Sequence, residues 1–154
     1  GPCPTLEMNR RHKVVPAKQA VKVPGVGTSP QWVELLEIEG CQKTYRRGIF
    51  VFLINGKPKF MPMLHGTAKS DPFLQVDVMR SLLPAARAKA TQMSCSNGND
   101  VRLLGAKFNT EQLSPTGMRW SETWRVADCH GSHDYEVRFH QRSGERTSFN
   151  ISEV

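Results

Sequence analysis

The chain reads as an α+β domain, a mostly antiparallel sheet with a C-terminal β-meander and one main helix packed on it. Three observations predict this. Met118, Trp120, Glu122, Trp124 and Val126 share one parity, so a strand over 117–126 turns two indoles and a carboxylate to a single face. Asn55-Gly56 stands between two apolar-rich runs, and both residues tolerate the positive φ that a type I′ hairpin turn requires. Leu82, Leu83, Ala86, Ala90 and Met93 recur at helical spacing, which predicts a helix over 81–93.

Taken in order, Gly1-Pro2 resembles the remnant of a protease-cleaved tag. Residues 1–30 read as a basic arm containing Arg10, Arg11, Lys13, Lys18 and Lys22 with Pro16, Pro24 and Pro30. Val14-Val15 and Val21 to Val23 offer short edge-strand pieces within it. A single domain is expected over 31–154. Its first segment fits a helix through Trp32, Leu35 and Leu36, or a strand through Val33, Leu35 and Glu37. Gly48 to Ile54 is apolar on both parities, as suits a central strand covered on both faces. The returning strand, 57–65, contains Pro58 and Pro62, which lack backbone donors, so it is expected at an edge or with a bulge.

Leu74, Val76 and Val78 alternate with Gln75 and Asp77, which predicts a strand over 73–79. The helix after it takes Ser81 as its cap and holds Pro84 in its first turn. Asn97-Gly98-Asn99 marks a turn. Strands over 101–108, 117–126, 135–141 and 146–151 complete the meander, with turns at His130-Gly131 and Ser143-Gly144.

A length of 154 residues corresponds to about one ordinary domain. The longest apolar run, Ile49 to Ile54, is far short of a bilayer span. Cys3, Cys41, Cys95 and Cys129 are widely spaced and even in number, with no C-x-x-C pair. That spacing points to two disulfides and an oxidising compartment rather than to zinc. Cys95–Cys129 and Cys3–Cys41 are the preferred pairings. A lipid on Cys3 would instead leave one bridge and supply a membrane anchor. The formal charge of +7 makes acidic partners plausible.

Glu122, flanked on its own face by Trp120 and Trp124, is the one acid–base candidate. A structural carboxylate paired with a buried Arg or hydroxyl explains the same pattern. His130 and His133 have spacing compatible with a metal, but they lie in a run of turn formers. Met61, Met63 and His65 would form a soft set suited to monovalent copper if they shared one strand face, although methionines also fill core gaps. No cofactor-binding motif is present, including phosphate-binding glycine loops and nucleophile elbows. Arg119, Arg125, Arg138, His140 and Arg142 lie opposite the aromatic parity and together would form a cationic sheet face. Nucleic-acid sheets need exposed aromatics for stacking, and these aromatics are assigned to the core, so nucleic acid ranks last among partners.

The ending Trp120-x-Glu122-x-Trp124-x-Val126-x-x-Cys129, followed by Tyr135-Glu-Val-Arg-Phe139 and a short closing strand, resembles small exported bacterial proteins of uncharacterised function. The resemblance covers the last third of the chain. It implies a periplasmic, secreted or lipid-anchored protein and carries over no catalytic residue. The expected function is therefore binding, as an accessory of the cell envelope or secretion machinery that meets another envelope protein or an anionic polymer. A small hydrolase or metal-dependent enzyme using Glu122 is the first alternative, and an inhibitor or immunity protein the second.

Overall fold

The computed structural model describes residues 6–7, 12–17, 21–40, 43–95 and 100–154. The chain divides into two compact units, residues 1–65 and 66–154, where the sequence suggested an arm to residue 30 and one domain thereafter. The basic segment contributes strands to the first unit, so the boundary follows the sheets rather than the change in composition.

In the first unit, β1 (Leu6–Glu7), β2 (His12–Pro16), β3 (Gln31–Gly40), β4 (Lys43–Ile54) and β5 (Lys57–Pro62) form one antiparallel sheet. β1 and β2 lie along the same edge of β3, Leu6 opposite Gly40 and His12 opposite Leu36. The segment that fitted either a helix or a strand is therefore a strand, paired by backbone on both sides. Gln31 secures its start: the carboxamide accepts the Val21 N–H at 2.8 Å and donates to the carbonyls of Val21 and Ser29.

β4 is central, between β3 and β5, and buries Phe50, Val51 and Phe52 on both parities. Asn55 (φ 52°) and Gly56 (φ 73°) close a two-residue hairpin with Ile54 opposite Lys57, as their composition predicted. β5 is an edge strand, which accommodates the two prolines. It ends at Pro62, short of the expected His65.

The second unit holds α1 (Pro72–Gln92), β6 (Arg102–Ser114), β7 (Gly117–Asp128), β8 (Gly131–Arg142) and β9 (Ser148–Glu153). The four strands form an antiparallel meander in chain order. With α1 and two antiparallel sheets among the described residues, the α+β class holds.

Residues 73–79 are helix and not strand. Leu74, Val78, Leu82, Ala86 and Ala90 are buried at four-residue steps, a stripe that outweighs the local alternation. The cap is Asp71, whose carboxylate accepts the N–H groups of Phe73 and Leu74, and Pro72 opens the first turn. Ser81 is a mid-helix residue, with its hydroxyl 3.4 Å from the Asp77 carbonyl. Pro84 likewise lies inside the helix, where its ring nitrogen cannot donate to the Arg80 carbonyl.

The meander's inner face carries Trp120, Glu122, Trp124 and Val126 from β7 with Tyr135, Val137 and Phe139 from β8, all buried. The Trp120 ring stacks on Phe139 at 4.7 Å. Helix and meander are tied by Lys89–Glu153, by Arg146–Asp77 at 2.8 Å, and by the Cys95–Cys129 disulfide just beyond the helix. Cys3 and Cys41, with their expected pairing and the possible lipid on Cys3, lie outside the described residues. No helix among the described residues is long and apolar enough to cross a membrane.

Candidate functional site

Glu122 is fully buried at the middle of the inner face. Strand alternation carries the side chains of Trp120, Glu122 and Trp124 to the same side, and both indoles turn their N–H groups to the carboxylate between them. Oε1 accepts from Trp120 Nε1 at 3.2 Å, and Oε2 accepts from Trp124 Nε1 at 2.9 Å. The remaining donors come from the segment just before α1. The Lys69 and Ser70 amides donate to Oε1 at 2.8 and 2.6 Å, and the Ser70 hydroxyl donates to Oε2 at 2.9 Å. Gln75 in turn donates to the Ser70 carbonyl at 2.8 Å.

Five donors on two oxygens hold the charge by hydrogen bonding, the condition under which a buried carboxylate is tolerated. The arrangement anchors the approach to the helix onto the meander. Thr67 completes the anchorage: its N–H donates to the Ala106 carbonyl at 3.0 Å, and its hydroxyl accepts from Phe108 N at 3.2 Å. The expected buried hydroxyl partner is Ser70. Its residue type alone carries no signal of that role, and the two backbone donors carry none either.

Lys69 turns its side chain the other way, pairing with Glu111 and standing 3.3 Å from Met118 Sδ and 5.9 Å from the centre of the Trp120 ring.

The five predicted binding residues share the outer face. Register sets Arg119 opposite His140 and Gly117 opposite Arg142, while Ser121 faces Arg138 and Arg125 faces Asp134. Their electrostatics differ. Arg125 makes a bidentate pair with Asp134 at 2.7 and 2.8 Å, which raises the guanidinium pKa and lowers that of the carboxyl. Arg138 pairs with Glu136 at 2.6 Å. Among the described residues, Arg119 and His140 have no carboxylate partner, and Arg142 reaches only Glu145 at 4.0 Å. The cationic face expected from sequence is thus divided, with close ion pairs toward the β7–β8 turn and, toward the opposite end, Arg119 and His140 without a carboxylate and Arg142 with only the long contact to Glu145. The turn falls at Cys129-His130, one residue before the expected His130-Gly131, and counting register outward from it matches Arg125 to Asp134.

The residues with metal-compatible spacing meet different partners. His130 Nε2 is 2.8 Å from the Met93 carbonyl, whereas His133 Nε2 faces Asp128 Oδ2 at 3.0 Å without the alignment of a hydrogen bond. Asp128 has a lowered pKa because its carboxylate accepts the His130 N–H at 2.8 Å, with His133 adding to the effect. Met61 lies on β5 opposite Phe50, while Met63 and His65 fall beyond that strand. The Met63 sulfur sits 3.2 Å from where a Cβ on Gly48 would be, so this thioether occupies space left by the glycine.

The chain matches no known protein family, no curated protein and no solved structure.

Proposed function

We propose that this chain works by binding, as an exported accessory protein of the cell envelope, and that the outer face of the meander meets an anionic envelope partner. The observation that carries the reading is the Arg119, His140 and Arg142 group on adjacent strands, in which Arg119 and His140 have no carboxylate partner among the described residues and Arg142 stands 4.0 Å from Glu145. Cross-strand neighbours have Cβ atoms about 4.5–5.5 Å apart, a spacing at which several cations can engage one anionic chain. We take α1 to cover the inner face, which leaves the outer one for a partner. The Cys95–Cys129 bond supports maturation in an oxidising compartment. Burial of Glu122 with both oxygens engaged supports a structural role for this carboxylate over the acid–base role of the enzyme alternative.

Retention on a sulfated polysaccharide matrix tests the surface. Arg119→Glu combined with Arg142→Glu is expected to elute at markedly lower salt than wild type. The charge-neutral double change Arg125→Gln with Asp134→Asn should elute with the wild type, because that pair already cancels. Equal elution of all three proteins would remove this face as the binding surface.

A further inference from the structure

We propose that the Cys95–Cys129 disulfide and His130 form a redox-gated site, closed to metal when oxidised and binding one soft divalent cation of the zinc class when reduced. The two sulfur atoms and a ring nitrogen of His130 lie within 4.8 Å of one another. While the disulfide is intact, neither sulfur is available as a thiolate. A tetrahedral zinc site with metal–sulfur distances of about 2.3 Å separates its sulfurs by roughly 3.8 Å, so opening the bond requires only a small displacement.

The second observation is the orientation of His130. A carbonyl can only accept, so the 2.8 Å contact to Met93 means that Nε2 carries the hydrogen. In the neutral ring, Nδ1 is then the nitrogen that can donate to a metal. Metal-bound histidines are characteristically held this way, with the far nitrogen donating to a carbonyl or carboxylate. Asp128 accepts the His130 backbone N–H and so fixes the same residue from its other side.

Cys129 and His130 are exposed, which lets a reductant reach the bond and leaves a fourth coordination position to solvent. The reaction balances with a dithiol as co-reactant. Two electrons pass to the Cys95–Cys129 bond, the dithiol closes to its cyclic disulfide, and its two protons end on the cysteine sulfurs. Metal binding then releases those two protons as the thiolates coordinate. The site is independent of the cationic surface, so either proposal can fail alone.

The test is cobalt(II) titration of the full chain before and after treatment with dithiothreitol, with the reductant removed anaerobically. Variants are made in a Cys3→Ser/Cys41→Ser background so that those thiols do not contribute. The expected result is no binding when oxidised and one ion per chain when reduced, with thiolate-to-cobalt charge-transfer bands and visible bands of tetrahedral intensity. His130→Ala, which keeps both cysteines, should weaken the reduced protein's affinity at least tenfold. Circular dichroism of the same samples follows folding. Three results would overturn the proposal: no ion taken up by the reduced chain, equal binding by the oxidised chain, or undiminished affinity in His130→Ala.

Discussion

Ser70 grips Glu122 twice, its backbone N–H reaching Oε1 at 2.6 Å and its hydroxyl reaching Oε2 at 2.9 Å. One residue thereby holds both oxygens of a carboxylate whose other donors include the two flanking indoles. Glu122→Gln replaces an oxygen with an amide nitrogen that must face donors. The expected loss is about 2–3 kcal/mol in urea unfolding, with anion-matrix retention unchanged in the folded fraction. Glu122→Leu, which strands all five donors, should cost more. A glutamine variant within about 0.5 kcal/mol of wild type would show that the clamp is not a principal anchor.

The residues that were legible in sequence are those whose role is fixed by parity or by turn chemistry. Trp120, Trp124 and Val126 are core, and Asn55-Gly56 makes the predicted hairpin. Residues 73–79 misled because Leu74 and Val78 satisfy a two-residue and a four-residue step at once. Only continuation through Leu82, Ala86 and Ala90 separates the two readings. The clamp was half legible. A carboxylate between two tryptophans announces buried donors, but Ser70 lies 52 residues away and two of the bonds come from backbone, which no side chain marks.

Gly117 opens β7 at φ 146°, and a Cβ there would stand 2.1 Å from the Gln141 carbonyl oxygen across the strand pair. Gly144 also has positive φ (76°), but nothing lies within 4 Å of its Cβ position. Gly144→Ala is therefore expected to cost about 1–2 kcal/mol from backbone conformation alone. Gly117→Ala adds a collision with main chain and should cost about 3 kcal/mol or more. Thermal melts of the two variants give the ordering, and equal midpoints would contradict the close approach.

Cys95 and Cys129 are 34 residues apart, joining the stretch after α1 to the β7–β8 turn. Closing a loop of that length restricts the unfolded chain by about 4 kcal/mol in the chain-entropy account. Cys95→Ser with Cys129→Ser should lower stability by about 2–4 kcal/mol, measured by urea unfolding against wild type. Fluorescence from the Trp120 and Trp124 environment should remain native-like at low denaturant, because the Glu122 clamp does not depend on the disulfide. Loss of the native signal without denaturant would mean that the bridge is required for the fold itself.

Acid and alkali should act on different contacts. Asp128 and Asp134 have folded-state pKa values below their ordinary one, the first held down chiefly by the His130 N–H and the second by Arg125. Their contribution is complete above the unfolded carboxylate pKa of about 4 and is lost as pH falls through the lower folded values. Lys89 is shifted upward by its bond to Glu153, and Tyr135 upward by burial. These two contributions are complete below the unfolded pKa values, about 10, and are lost as pH rises through the folded ones. Melting temperature against pH should therefore show a plateau that falls away on both sides. Asp134→Asn should weaken the acid limb and leave the alkaline limb in place, whereas Tyr135→Phe should do the reverse. An acid limb unchanged in both Asp134→Asn and Asp128→Asn would exclude these carboxylates as its source.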